Sequence, residues 1–263
     1  MLRSLSRKIV VLVAVTAAAS ALSAGRAAAG VILHEQDTVT GIERHPPPLD
    51  RIIEIEGLKK KVSDKYRVHD FVVDLANNQT LIIHPRSKDY FVLPFPPKPG
   101  TTAQWMVLPF ATPPLISYKA TGKSSKILGY ACREFSGDGY FNNTRYSVQG
   151  CFSTTAPGAD IYSAFTKKAA GLLGSLAPAG INFPDGVPLS MKITQKAIKA
   201  PPPTISPSNN KPTPTPVPKP GDWVEVETTN MIVTSIQLSK GPIPDEEFVP
   251  KGFEAKRPNN LGF

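Results

Sequence analysis

Short runs of alternating apolar and polar residues constrain this 263-residue chain more than any other feature. Ile53 and Ile55 alternate with Glu54 and Glu56, and Phe71, Val73 and Leu75 alternate with Val72 and Asp74. Leu81 and Ile83 follow the Asn77-Asn78 turn, and residues 90–93 form a further apolar run after His84-Pro85-Arg86-Ser87-Lys88. Later, Leu189, Met191 and Ile193 alternate with Ser190, Lys192 and Thr194, Val224 and Val226 with Glu225 and Glu227, and Ile232, Thr234, Ile236 and Leu238 complete the series. A period of two places successive side chains on opposite faces of a strand, so these runs predict an antiparallel meander with one face buried.

One segment follows a different period. In residues 160–176, Ile161, Phe165, Ala169, Leu172, Leu173 and Leu176 recur at helical spacing, with Pro157 and Asp160 near the start and Pro178 beyond the end. That pattern predicts one amphipathic helix of four or five turns laid over the sheet. Residues 101–110, with Trp105, Met106 and Phe110, form a weaker helical candidate. The expected fold is mainly β (α+β): a curved antiparallel sheet or unclosed β-barrel covered by one main amphipathic helix.

Two cysteines, Cys132 and Cys151, allow one disulfide. A hairpin over residues 127–152 with its tip at Tyr140-Phe141-Asn142-Asn143 would set Cys132 opposite Cys151, Asp138 opposite Arg145, Ser136 opposite Ser147 and Glu134 opposite Gln149. Phe135 opposite Val148 and Ala131 opposite Phe152 would fill the other face. One register thus sorts polar from apolar and aligns both thiols. With no Cys-x-x-Cys the expected bond is structural rather than a redox centre.

The chain begins as an export signal does. Arg3, Arg7 and Lys8 precede an apolar run over residues 9–19, too short to span a bilayer, and Ala27 and Ala29 satisfy the small-x-small rule for cleavage between Ala29 and Gly30. Residues 30–256 are expected to form a single β-rich half-barrel domain with no transmembrane segment, and residues 257–263 a flexible tail. Within it, residues 200–221, with Pro201-Pro202-Pro203 and Thr213-Pro214-Thr215-Pro216, cannot pair in a sheet and are expected to be a disordered insertion.

Composition excludes more than it assigns. Arg3, Arg7, Lys8 and Arg26 lie in the signal, which leaves 26 basic against 21 acidic residues, a net of +5. The charges are scattered, with Lys59-Lys60-Lys61 the one short run, read as a solvated strand end or turn; a nucleic-acid interface would cluster them with aromatics. Gly-x-Ser-x-Gly, His-Glu-x-x-His and dinucleotide glycine patterns are absent, and Gly122-Lys123-Ser124 lacks the earlier glycine of a phosphate loop because that position is Ser117. His69, Asp70, Asp74 and His84 are metal-ligand types in one hairpin, but His69 points away from the face that Asp70 and Asp74 share, so no metal is assigned. No catalytic residue and no cofactor are assigned. Asn78-Gln79-Thr80 and Asn142-Asn143-Thr144 are glycosylation sequons, relevant only in a eukaryotic host.

The strand beginning Val31-Ile32-Leu33, the phrases DFVVDLANNQTLIIHPRSKDYFVLPFP (70–96) and ILGYACREFSG (127–137), and GVPLSMKI (186–193) and EEFVPKGFEA (246–255) together resemble the DUF4412 family of exported bacterial proteins. That family is similar to the periplasmic lipoprotein-carrier (LolA/LolB-like) superfamily. The resemblance implies an unclosed antiparallel barrel with helices over its apolar concave face, and no catalytic residues. The Pro-rich insertion and the paired Cys151 depart from the family pattern.

The expected function is that of a non-enzymatic carrier or sensor in the periplasm or outside the cell. Its expected ligand is hydrophobic: a lipid, a lipoprotein acyl chain or an apolar peptide. Phe71, Val73, Leu81, Ile83, Ile161, Phe165, Leu172 and Met191 are the expected lining. One alternative is an envelope interaction protein with a closed core that binds a protein partner through the Pro-rich loop; another is a hydrolase with a dispersed site.

Overall fold

The computed structural model describes residues 30–41, 46–64, 69–96, 116–141, 144–173, 182–198 and 223–256. The export signal with Ala29, the helical candidate at 101–110, the Pro-rich segment, Leu176 and the tail at 257–263 lie outside these residues.

Among the described residues, twelve strands form one unclosed sheet: β1 (Val31–Thr40), β2 (Leu49–Glu56), β3 (Lys59–Asp64), β4 (Asp70–Asp74), β5 (Gln79–His84), β6 (Asp89–Pro94), β7 (Lys119–Ile127), β8 (Tyr130–Phe141), β9 (Thr144–Ser153), β10 (Val187–Ile198), β11 (Trp223–Leu238) and β12 (Glu254–Lys256). Their order is β12-β6-β5-β4-β3-β2-β1-β11-β10-β9-β8-β7, with every neighbouring pair antiparallel except β12 and β6. The meander β1–β6 and the meander β7–β10 are therefore joined through the long strand β11, which pairs with both β1 and β10.

Alternation within each strand decides what the sheet buries. In β1, Val31, Leu33, Glu35 and Asp37 are buried while the residues between them are partly exposed. Directly opposed residues share a face, so register carries this inner face across the sheet: Leu33 opposes Ile53, Ile53 opposes Val62, and Val62 opposes Phe71. The helix α1 (Ala159–Leu173) covers it, burying Tyr162, Phe165, Ala169 and Leu173 against Val31, Leu33, Ile55, Val62 and Val73. Gly158, at φ +70°, turns the chain into α1, and a Cβ there would stand 2.5 Å from the Cβ of Val31.

The outer face has its own cover. Ile243, Phe248 and Val249, around the single turn α2 (Asp245–Phe248), pack on Val72, Leu81 and Ile83. Lys59 anchors this strap through Asp245 (2.5 Å), and Lys61 donates to the carbonyl oxygen of Glu247 (2.5 Å). The basic run 59–61 is thus a strand with Lys60 and Lys61 buried, not the solvated strand end or turn expected of it. Each ammonium finds partners along the strand faces, Lys61 with Glu54 and Asp70 on the outer side and Lys60 over the Tyr162 ring on the inner.

The β8–β9 hairpin forms in a different register from the expected one. Glu134, not Cys132, opposes Cys151, Asp138 opposes Ser147, and Phe135 opposes Gly150. The shift is two residues, which keeps every side chain on its face. The Cys132–Cys151 disulfide therefore bridges a diagonal pair, with Cα atoms 5.4 Å apart, and Asp138 still meets Arg145 diagonally at 3.9 Å.

Candidate functional site

Register builds the inner face of β1–β6 as three transverse rows. One row runs Leu33, Ile53, Val62, Phe71, Ile82 and Phe91, all apolar. A second runs Val31, Ile55, Lys60, Val73, Thr80 and Leu93. The third is almost wholly ionisable: Glu35 opposes Arg51, Arg51 opposes Asp64, and His84 opposes Asp89. One further step of the β3–β4 and β4–β5 ladders inserts His69 between Asp64 and His84, whose ring centroid lies 4.6 Å from that of His69. An apolar floor with a polar border along one side is the usual make-up of a pocket for a hydrophobic ligand.

Burial shapes the electrostatics of this border. Burial pushes the Glu35 carboxyl up to about 7, with Lys60 opposing that rise and Asp37 adding to it. Lys60 falls to about 8, again through burial first, with Glu35 pulling the other way. Asp37 is also raised by burial although Arg51 contacts it through a salt bridge. Burial raises the phenols of Tyr162 and Tyr118, and the charge of Glu35 reaches Tyr162. Tyr118 sits where the face continues onto β9 and β10, its ring 5.8 Å from that of Phe152 and 5.9 Å from that of Phe183, in a cluster with Val148 and Met191.

Six buried side-chain polar atoms have no hydrogen-bond partner among the described residues, and five belong to this face or its cover: Asp37 Oδ1, His69 Nδ1, Thr80 Oγ1, His84 Nε2 and Tyr118 Oη. The sixth is Asp70 Oδ1, on the outer face. Native structures leave few such atoms unpaired, and their concentration on one roofed face marks where a polar ligand atom would be stabilised.

The expected lining residues divide between the two sides of the sheet. Phe71 and Val73 lie on the inner face, Phe165 is buried beneath α1, and Ile161 and Leu172 flank the helix against the same core. Met191 extends that face, opposing Met231, which in turn opposes Asp37. Leu81 and Ile83 lie on the outer face under Ile243 and Phe248. The third row was missed by sequence reading, although the Asp89–His84 step was readable from the short turn between β5 and β6. Beneath the strap, the outer face carries a cleft of about 310 Å³ lined by Lys59, Asp74, Gln79, Asp245 and Glu246 with apolar neighbours. Among the described residues no three metal-ligand side chains gather, and no helix is long and apolar enough to cross a membrane.

Neither a family model nor a curated protein matches this chain. Among solved structures, PNGF-II is similar over 88% of this chain and 32% of its own length, at 12% identity and a TM-score of 0.43. A LolA superfamily protein from Nitrosomonas europaea is similar over 84% of this chain and 90% of its own, at 6% identity and a TM-score of 0.32. A DUF1329 family protein from Desulfovibrio piger is similar over 85% and 90%, at 7% identity and a TM-score of 0.35. The chain thus spans about a third of the length of PNGF-II. These likenesses concern general shape and bring neither substrate nor activity to this chain.

Proposed function

We propose that the protein is an exported, non-catalytic carrier or sensor that holds an amphiphilic ligand, a lipid or acyl chain, against the inner face of β1–β6 beneath α1. One observation supports the reading: of the six buried polar atoms without a partner among the described residues, four lie on the inner face of β1–β6 and a fifth, Tyr118 Oη, where that face continues onto β9 and β10. A face used only for packing is more stable with apolar residues at such positions, because a buried polar atom without a partner costs about 1–3 kcal/mol. The apolar rows supply the surface for the chain of the ligand, through Phe71, Val73 and Phe165, with Ile161, Leu172 and Met191 at its margins. The ionisable row meets the polar end. Export, the periplasmic setting and membership of the DUF4412 family belong to this same proposal and rest on the sequence features.

The test is native mass spectrometry of the exported protein before and after organic extraction, followed by titration of the extracted protein with a fluorescent acyl probe. A co-purifying mass in the lipid range, lost on extraction, with probe fluorescence restored at low micromolar concentration, is the expected result. Thr80→Val should weaken the probe several-fold while the protein stays folded. A clean mature mass together with a probe that gives no signal would sink the carrier reading.

A further inference from the structure

We propose that His69 and His84 form a two-imidazole site for a divalent transition-metal ion, of the copper, nickel or zinc group, at the border of the inner face. Each ring has a buried nitrogen with no partner among the described residues, Nδ1 of His69 and Nε2 of His84. The ring centroids stand 4.6 Å apart with the planes tilted by 49°, a separation that two imidazoles sharing one ion through in-plane nitrogens can adopt. An imidazole with one lone pair buried and unbonded is the donor that these borderline metals select.

The tautomer of one ring is already fixed. His84 Nδ1 lies 2.9 Å from Asp89 Oδ1, so it carries the proton donated to that carboxylate, and in a neutral ring this makes Nε2 the nitrogen with the lone pair. A carboxylate behind the imidazole is the usual support of a metal-binding histidine, because it orients the ring and raises its basicity. Asp89 is itself held in place: it is 3% exposed and also accepts from Lys256 of β12, so the C-terminal strand fastens the back of the site. Phe91 packs edge-on to His84 at 5.2 Å and Phe71 edge-on to His69 at 6.4 Å, which limits rotation of both rings.

The pair is not the quartet suggested by the spacing of the sequence. Asp70 and Asp74 lie on strand β4, Asp70 bound up with Lys61 on the outer face and Asp74 in the turn through Ala76, Asn77 and the Asn77 side chain. His69 and His84 meet instead across β4 and β5, on the inner face, with Asp64 as the next residue of the row. Two protein ligands leave the remaining coordination positions to water or to an anionic ligand group.

Titration of the tag-free mature protein with Cu2+ by calorimetry, with electron paramagnetic resonance on the product, tests the site. One ion per chain at micromolar affinity, with hyperfine structure from two imidazole nitrogens, is expected. The His69→Ala/His84→Ala double variant should lose at least 100-fold in affinity, Asp89→Asn roughly 10–100-fold, and His34→Ala nothing. Because the double variant could fail to fold, Zn2+ is also titrated into the wild-type protein while its imidazole NMR signals are followed. Shifts confined to His69 and His84 support the site. Uniform or absent shifts, or equal Cu2+ affinity in a folded double variant, overturn it.

Discussion

Glu35 shows how one buried side chain sets a pH response. Between its ordinary value of 4.5 and about 7, the folded chain keeps a proton that the unfolded chain has lost. The stability linked to this group is therefore fully present at low pH and declines as pH rises through that window, by on the order of 3 kcal/mol at most. Lys60 works in the opposite sense at higher pH, since from about 8 to 10.5 the unfolded chain holds the extra proton and stability recovers. Glu35→Gln should flatten the fall in Tm between pH 4.5 and 7, measured by thermal melts in matched buffers; an unchanged slope would show that Glu35 is not the group responsible. Gly158→Ala combines a positive φ with a clash on Val31 and should cost about 2–4 kcal/mol in urea unfolding. At this scale the alternation within a strand was legible in the sequence and the face each strand turns to its neighbour was not. Phe71 and Val73 do share a face, as alternation requires, but Val73 opposes Thr80 and Phe71 opposes Ile82, which turns Leu81 and Ile83 outward. Alternation within a strand says nothing of its neighbour until the parity of the connecting turn is counted, and this four-residue turn, 75–78, swaps odd for even.

Among the elements, the strands with strong alternation were legible and the edge strands were not. β7, Lys-Ala-Thr-Gly-Lys-Ser-Ser-Lys-Ile, is exposed over all but its last residue and carries no apolar pattern to read. Its three lysines suit an edge, where charge discourages pairing with a second chain. β12 is three exposed residues whose place depends on the edge of β6, more than 150 positions earlier. The helix was legible because Phe165, Ala169 and Leu173 recur at helical spacing, and Tyr162 and Thr166 join them as buried residues that the apolar count passed over. In the β8–β9 hairpin two registers satisfied the same face pattern, and only the turn itself separates them. The disulfide survives either, because Cα atoms of a diagonal pair come close enough, and its sulfurs also lie 3.3 and 3.2 Å from the Ser125 hydroxyl on β7. Cys132→Ser/Cys151→Ser should lower unfolding free energy by about 3 kcal/mol, and reductant should lower the wild-type value to match without moving that of the variant.

At the scale of the whole molecule, the described residues form a sheet with a cover on each side, and the two covers differ in kind. α1 seals the inner face with four side chains deep in the core, whereas residues 243–253 hold the outer face through a few apolar contacts and the Lys59–Asp245 and Lys61–Glu247 links. Ending the chain after Pro242 should expose Val72, Leu81 and Ile83, seen as increased binding of a hydrophobic dye and as self-association in sedimentation; a monomer with unchanged dye binding would show that the strap is dispensable. The inner border of ionisable residues belongs to this scale too, since it exists only when six strands lie in one register, and no segment of sequence carries it alone.

Among the described residues, the first and last strands of the sheet, β12 and β7, pair with no strand on their far sides. In a closed barrel, strand number and stagger fix the diameter, and widening the lumen means breaking a ladder. Here no ladder among the described residues joins the two rims, so the sheet can flatten or tighten with those ladders intact. An open sheet of this kind changes its curvature without giving up a ladder hydrogen bond.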